Sequence, residues 1–272
     1  MLKKCSCYQR TYFSMEEMYM IIRLSILTAS LFILLGMALS ISYSANLTEG
    51  LVAYWPLDEN GNDKIGKSSG KLEGGAKWIK NGRVKGAVEL DGTTGHVAIS
   101  GFTLTTKELT AVAWLKGWKQ GDWAGILCSR ADPMTFWVGF TDQNTLSYVW
   151  NNNSEATWGW RKGPVIPQDE WAMIAITIDP KKATSNIYTD AKGLQSAENA
   201  IAHVEQTIAD NLKIGRDECC GDNRHVKGII DEVMIYKRAL GKEELIKLAQ
   251  SGLAVSSKEK LTTKWGEIKQ KQ

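Results

Sequence analysis

Most of the sequence after residue 45 consists of short apolar or alternating runs that are separated by turn-forming residues. The turn signals recur about every 8 to 12 residues, a spacing typical of β-sandwiches and unlike that of βαβ units. The run from Glu108 to Trp118 shows this most clearly, because alternate residues share one face of an extended strand. The apolar residues on that face are Leu109, Ala111, Ala113 and Leu115. We therefore expect an all-β sandwich.

Two further segments refine this expectation. The run from Glu170 to Asp179 is almost unbroken apolar sequence, as in a central strand that is buried on both faces. The segment from Gly241 to Gly252 has the spacing of an amphipathic helix and ends at a glycine suited to a C-cap. Its apolar stripe consists of Leu245, Leu248 and Ala249. We expect one domain over residues 46–253, followed by a basic polar tail over residues 254–272.

The first 45 residues predict export. From Leu24 to Thr48 no side chain is charged, whereas Arg23 and other basic residues precede this stretch. A positive flank, an apolar core and a small-residue exit near Ala45 are typical of a secretory signal peptide. The alternative is an uncleaved anchor over residues 21–41, because an apolar run of about 18 to 20 residues can span a bilayer. Met20 is an alternative start, since it opens a compact signal sequence.

The charge of the chain also limits its partners. Between Asn46 and Leu253 there are 24 basic and 26 acidic side chains, a net charge of −2. A body of this charge lacks the basic excess that follows a phosphate backbone, so we expect no nucleic-acid binding. Membrane contact is expected only through the N-terminal segment, if that segment is not cleaved. Because its positive flank stays inside, we expect a secreted, periplasmic or cell-surface protein.

Four motifs, in order and at consistent spacing, resemble one protein family. They are GLVAYWPLDENGND from Gly50, GRVKGAVELDGTTGHVAI from Gly82, ELTAVAWLK from Glu108, and LKIGRDECCGDNRHVKGIIDEVMIYKRALGKEELIKL from Leu212. The family is the laminin-G-like, or concanavalin A-like lectin/glucanase, domain of bacterial secreted proteins. The resemblance implies a two-sheet antiparallel jelly-roll sandwich. It also implies that the first and last strands pair and that a short C-terminal helix follows.

The family includes lectins, adhesion modules and glycoside hydrolases, so the fold leaves the function open. Related glucanases have a Glu-x-Asp-x-Glu pattern on one strand, and this sequence has none. The acidic pair that comes nearest to this pattern is Asp231 and Glu232. These two are adjacent on one strand, so we expect their side chains to point to opposite faces. A glycosidase needs two cooperating carboxyl groups. We therefore expect a protein without catalytic function.

Tryptophan gives the strongest indication of a ligand. Eight of the eleven tryptophans lie between Trp114 and Trp171, several of them in polar loops. Aromatic rings can stack on the apolar faces of sugars while neighbouring polar groups bind the hydroxyls. The predicted ligand-binding residues are Trp118, Asp122, Trp123, Trp150, Asn152, Trp158, Trp160 and Arg161. For Trp158 and Trp160 the alternative is a place in the core, where Trp55, Trp114 and Trp171 are expected.

The cysteines and acidic residues allow two further predictions. The body of the chain contains Cys128, Cys219 and Cys220, and in an exported protein a disulfide is favoured over zinc. Cys128 bonded to Cys219 or Cys220, a vicinal Cys219–Cys220 bond, and three reduced thiols all remain open. Members of the family often hold structural Ca²⁺ between their first and last segments. The resemblance thus implies the ligands Asp58, Asp63 and Asp231, with hydrogen bonds to backbone amides as the alternative.

Together these observations predict a non-catalytic carbohydrate-binding module of an exported protein. Its expected partner is a carbohydrate or a surface glycoprotein, contacted through aromatic loops. One alternative is a protein-binding or adhesion module that uses the same loops as a flat apolar patch. The other is a glycoside hydrolase of the same superfamily.

Overall fold

The computed structural model describes residues 14–16, 18–20, 22–24, 46–117, 120–131, 134–150, 157–158, 160–221 and 224–253. The chain divides into two compact units, Met1–Ala45 and Asn46–Gln272. In the first unit, the described residues at 15–16, 18–20 and 22–24 are helical. Across the described part of the chain, no helix is both long and apolar enough to cross a membrane. Most of the predicted signal or anchor segment and all of the predicted tail lie outside the described residues.

The described residues of the second unit form β-strands and a C-terminal α-helix. In chain order the elements are β1 (Leu51–Trp55), β2 (Gly61–Asn62), β3 (Ser69–Glu73), β4 (Lys77–Ile79), β5 (Ala87–Asp91), β6 (His96–Ser100), β7 (Leu104–Thr106), β8 (Leu109–Gly117), β9 (Gly125–Ala131), β10 (Met134–Thr141), β11 (Thr145–Trp150), β12 (Ala172–Ile178), β13 (Ala183–Thr189), β14 (Gly193–Asn199), β15 (Gln206–Ile208), β16 (Lys213–Ile214), β17 (Arg216–Asp217), β18 (Arg224–His225), β19 (Lys227–Tyr236) and the helix (Lys242–Ser251).

Two antiparallel sheets make up the sandwich. Sheet A has the strand order β14-β13-β12-β8-β19-β5-β4, and β1 also pairs with β19. Sheet B has the order β11-β10-β9-β16-β6-β3-β2, while β7 with β15 and β17 with β18 form two-stranded ribbons. The expected pairing of the first and last strands is confirmed, with Trp55 opposite Val233.

The core lies between the two sheets. On β8, the four alternating residues predicted to share a face all belong to this core, whereas Val112 and Trp114 point to the other side of sheet A. Strand β12 is buried along its whole length between β8 and β13, as expected for a central strand. The all-β architecture follows directly from these alternations, because a period of two places successive side chains on opposite faces.

The C-terminal helix covers the outer face of sheet A. Its predicted apolar residues Leu245, Leu248 and Ala249 are buried together with Val112 and Trp114. Two hydrogen bonds of 2.7 and 2.9 Å from Arg238 to Glu244 tie the first turn of the helix to the end of β19. The helix therefore closes sheet A on this side and leaves the outer face of sheet B as the other large surface of the sandwich.

Candidate functional site

The outer face of sheet B carries a tryptophan that the strand pattern places there. On β10, Phe136 and Val138 point into the core, so Trp137 between them points away from it. Trp137 is nevertheless fully buried, because Trp123 packs across it with ring centroids 5.3 Å apart. Gly139 follows on the same face, and a Cβ there would lie 2.5 Å from the Trp137 ring. Glycine at this position therefore leaves the space that the indole occupies.

Two further rings extend this contact to the surface. Trp123 has a φ of 68°, and its backbone N–H donates to the carbonyl of Phe140 over 2.7 Å. Trp158 meets Trp123 edge to face at 6.3 Å and is 38% exposed. We call Trp137, Trp123 and Trp158 the tryptophan stack. Its outermost ring is open to a ligand, while the inner rings are held by packing.

Two arginines lie over the middle ring of the tryptophan stack. The guanidinium carbons of Arg161 and Arg224 are 5.2 and 5.5 Å from the centroid of the Trp123 ring, within the range of cation–π contacts. Arg161 also donates to the Asp142 carboxylate over 2.8 Å. The arginines therefore bring hydrogen-bond donors to the edge of an aromatic surface.

Asp217 fixes the position of the second arginine. Its fully buried carboxylate accepts two hydrogen bonds of 2.7 Å from Arg130 and one of 3.1 Å from Arg224. The backbone N–H of Cys219 donates a further bond of 3.1 Å. A buried carboxylate needs such partners, because an unpaired ion in the interior costs several kcal/mol. Asp217 thus holds both guanidinium groups in place relative to sheet B.

The predicted ligand-binding residues do not form one cluster in the structure. The structure brings Trp123, Trp158 and Arg161 together at the tryptophan stack. The prediction for Trp150 is wrong, because its ring is 1% exposed in the core and its Nε1–H donates to the carbonyl of Val204 over 2.7 Å.

The remaining predicted residues lie elsewhere or outside the described chain. Trp160 is half-buried and packs against the core, where its ring meets Tyr148 edge to face at 5.9 Å. Asp122 is exposed beside Trp123. Trp118 and Asn152 fall outside the described residues, so their roles stay predictions.

Sequence reasoning missed Trp137, Arg224 and Asp217. The alternation in TFWVGFT was a usable signal for Trp137, because it separates this ring from the core residues on either side. Arg224 and Asp217 gave no local signal. They reach the tryptophan stack from the β17–β18 ribbon, which lies far along the chain.

A second arginine–tryptophan contact lies on sheet A, where Arg83 and Trp114 line a cavity of about 910 Å³. The guanidinium carbon of Arg83 is 4.3 Å from the centroid of the Trp114 ring, but Trp114 is only 5% exposed. Arg83 also forms two hydrogen bonds with Asp190. Trp114 is therefore buried, but under the C-terminal helix and not in the core between the sheets, where the sequence predicts it.

Of the alternatives for the cysteines, the structure has the bond between the adjacent residues Cys219 and Cys220. Cys219 and Cys220 form a disulfide with each other, and Cys128 is a buried free thiol on β9. The alternative in which Cys128 bonds to either of them is wrong, since their sulfurs are already paired. Burial raises the pKa of the Cys128 thiol, and the nearby Asp217 carboxylate raises it further.

The three predicted calcium ligands have protein partners. Asp63 accepts hydrogen bonds from the backbone of Tyr54 and Ile65 and from the hydroxyl of Ser68. The carboxylates of Asp58 and Asp231 hold the loop before β5, where they accept the N–H groups of Gly86 and Val84. No cluster of three or more metal-ligating side chains occurs among the described residues. A calcium ion at these residues would have to share their oxygens with the N–H and O–H groups that donate to them.

A β-bulge overturns one expectation about Asp231 and Glu232. The register of β19 shifts between Asp231 and Met234, and Glu232 has a φ of 52°. The flanking residues Ile230 and Val233 both face the core, so the two carboxyl groups lie on the same outer side of sheet A. The Tyr54 hydroxyl donates to Glu232 at 2.8 Å. Strict strand alternation fails here because a bulge inserts an extra residue.

The family model of the concanavalin A-like lectin/glucanases superfamily matches residues 91–246, more than half of the chain. The protein belongs to this superfamily. No curated protein sequence matches the chain. Membership accounts for the antiparallel sandwich and for the pairing of β1 with β19, which together form a jelly roll.

Solved structures of concanavalin A-like and related proteins share the fold. Domain 4 of AbnA, a GH43 extracellular arabinanase from Geobacillus stearothermophilus solved with arabinotriose, is 18% identical with a TM-score of 0.54, covering 74% of this chain and 98% of that one. The botulinum neurotoxin serotype G binding domain is 13% identical with a TM-score of 0.54, covering 73% and 50%. A Trypanosoma rangeli sialidase is 13% identical with a TM-score of 0.50, covering 76% and 34%. At these identities the similarity establishes the fold alone.

Replacing Gly139 with alanine tests the packing of the tryptophan stack. A Cβ at Gly139 would lie 2.2 Å from the carbonyl oxygen of Ala124 as well as against the Trp137 ring. We expect Gly139→Ala to lower the free energy of unfolding by about 1–3 kcal/mol through overpacking. Denaturant unfolding of the full chain measures this. Gly121→Ala is the control, because nothing lies within 4 Å of that position. Equal stability of the two variants would contradict the close packing of Gly139 against Trp137 and Ala124.

Calcium binding is tested by thermal unfolding with calcium and with a chelator. Because the carboxylates of Asp58, Asp63 and Asp231 already accept protein donors, we expect the unfolding temperature to be the same in both. Asp58→Asn serves as the matched variant. A calcium-dependent stabilisation that this variant removes would support the calcium site implied by the family.

The buried carboxyl groups predict a pH dependence of stability. Burial raises the pKa of Glu232 from 4.5 to about 7 and that of Asp231 from 3.8 to about 7. The stability that these groups contribute in their protonated form is therefore complete below their ordinary pKa values of 3.8 and 4.5. It is lost as the pH rises through about 7.

We expect the unfolding temperature of the protein to fall between pH 5 and pH 8 for this reason. Glu232→Gln keeps a hydrogen-bond acceptor for Tyr54 but cannot ionise. The free energy of unfolding of this variant should therefore fall less across this pH range, by on the order of 2 kcal/mol. Thermal unfolding across the pH range measures both. A fall of the same size in Glu232→Gln would show that another group is responsible.

Proposed function

We propose that the protein is a non-catalytic carbohydrate-binding module that contacts its sugar at the tryptophan stack. The observation that carries the proposal is the exposed ring of Trp158, which is 38% accessible and supported from below by Trp123. A partly exposed indole that packs on other rings offers an apolar face on which a ligand can stack. The stack provides such a ring on a rigid base.

The polar groups beside the stack suit the hydroxyl groups of a sugar. Arg161 lies over Trp123 and has an ion pair with the exposed carboxylate of Asp142. Together they offer N–H donors and carboxylate acceptors at the rim of an apolar surface. A binding site of this composition orients a ligand through few polar contacts while most of the contact area is apolar.

The similar structures agree with this chemistry. Domain 4 of an arabinanase, solved in complex with arabinotriose, is similar over 98% of its own length. The botulinum neurotoxin serotype G structure is a binding domain as well. For this chain, the similarity suggests oligosaccharides as the first class of ligand to test.

A binding role is favoured over hydrolysis by the state of the nearby carboxylates. A retaining or inverting glycosidase needs a free acid and a second carboxylate placed on either side of the scissile bond. Asp217 is buried between Arg130 and Arg224, and Asp142 is paired with Arg161. Both carboxylates are thus held by arginine side chains in this arrangement.

An exported location completes the proposal. The uncharged stretch from Leu24 to Thr48 behind a basic flank supports it, and so does the disulfide between Cys219 and Cys220. The partner is then an extracellular or cell-surface carbohydrate, free or on a glycoprotein.

A glycan array probed with the full chain tests the proposal. We expect binding to a restricted set of oligosaccharides, with an affinity that Trp158→Ala lowers at least about tenfold through the lost stacking surface. Val84→Ala is the control, because it truncates an exposed apolar residue near sheet A. Binding that is the same in Trp158→Ala and Val84→Ala would place the site elsewhere. A blank array with well-folded protein would overturn the proposal and favour the adhesion alternative.

A further inference from the structure

The vicinal disulfide lies in the ribbon that carries one of the arginines of the tryptophan stack. Strands β17 and β18 pair through Asp217 and Arg224, and the connection between them contains Cys219 and Cys220. Cys220 has a φ of 64°, a backbone conformation that non-glycine residues seldom adopt. A bond between adjacent cysteines closes a small ring around their shared peptide. The disulfide therefore restricts the backbone at the start of this connection.

Asp217 links this connection to the aromatic surface. Its carboxylate accepts the N–H of Cys219 and the guanidinium of Arg224, both at 3.1 Å. The same Arg224 guanidinium lies 5.5 Å from the Trp123 ring. A change in the backbone at Cys219 thus acts on a carboxylate that positions an arginine over the middle ring of the stack.

The disulfide is also accessible to a reductant in solution. Cys220 is exposed and Cys219 is half-buried. Cys128, the other cysteine among the described residues, is buried. A buried thiol reacts slowly because the thiolate is the attacking species and burial disfavours it. A thiol reagent in solution can therefore attack this disulfide more readily than the buried Cys128 thiol can.

We propose that the oxidation state of the Cys219–Cys220 disulfide controls ligand affinity at the tryptophan stack. The inference rests on the proposed function, since the ligand is the carbohydrate bound there. In the oxidised state the ring holds the Cys219 N–H on Asp217, and Arg224 stays over Trp123. In the reduced state the connection gains backbone freedom, the hydrogen bond from Cys219 is weakened, and the stack loses part of its preorganisation.

The reducing agent is a dithiol. One of its thiolates attacks a sulfur of the disulfide and forms a mixed disulfide, and the other cysteine leaves as a thiolate that is then protonated. The second thiol of the reagent then attacks the reagent sulfur in the mixed disulfide. This step releases the cysteine that was attacked first. The protein gains two electrons and two protons, and the dithiol becomes a cyclic disulfide.

The experiment compares oxidised full-length protein with protein reduced by dithiothreitol, with complete reduction confirmed by thiol titration. The probe is the fluorescein-labelled oligosaccharide that gives the strongest signal on the glycan array. We expect reduction to weaken its binding at least about fivefold. Cys219→Ser with Cys220→Ser should bind as weakly as the reduced protein and should not respond to dithiothreitol. Cys128→Ala keeps the disulfide and should respond as the unmodified chain does.

A readout that needs no sugar separates this inference from the proposed function. The indole N–H signals of Trp123 and Trp55 are followed by ¹H–¹⁵N NMR, with assignments from Trp→Phe variants. We expect reduction to shift the signal of Trp123 and to leave that of Trp55, which is buried in the core. An unchanged Trp123 signal and unchanged affinity after full reduction would overturn the inference. A shifted Trp123 signal in a protein that binds no glycan would overturn the proposed function and leave the control of the stack by the disulfide supported.

Discussion

The pairing of the closing strand β19 is the interaction on which the rest of the structure depends. This strand pairs with β8 along one edge and with β1 and β5 along the other. It thereby joins the first and last described segments of the sandwich within one sheet, so β1 and β5 cannot join β8 in sheet A before β19 is in place. Such long-range pairing is costly in loop-closure entropy. The residues of β19 that face the core, among them Ile230, Val233 and Ile235, offset that cost by burial.

The two sheets use their buried carboxylates in different ways. On sheet A, Asp231 accepts backbone N–H groups and fixes the loop before β5. Beside sheet B, Asp217 on β17 accepts guanidinium groups from Arg130 and Arg224, and Arg224 lies over Trp123. A carboxylate that binds amides stabilises the fold alone, whereas one that binds arginines at an aromatic surface also shapes that surface. This difference is one reason why we propose the ligand site at sheet B, although sheet A has an arginine–tryptophan contact of its own.

The sequence predicts the fold better than it predicts the site, for physical reasons. Alternation in β8 and the spacing of Leu245 and Leu248 report local periodicity, and the structure confirms both. The bulge at Glu232 breaks that periodicity, and no residue type in the segment marks it. Alternation therefore predicts opposite faces for Asp231 and Glu232, whereas the structure places them on the same side. Trp150 was misplaced because a tryptophan at a strand end beside a polar loop has the same local sequence whether buried or exposed. Arg224 reaches Trp123 only through tertiary structure, which no local pattern encodes.

Preorganisation is the property of the tryptophan stack that favours the proposed binding role. Trp137 is locked between Gly139 and Trp123, so a ligand on Trp158 meets rings whose side-chain entropy has already been lost on folding. Because the charges at the stack already have partners, the apolar area and the remaining hydrogen-bond donors are what it offers to the sugar that we propose as its ligand.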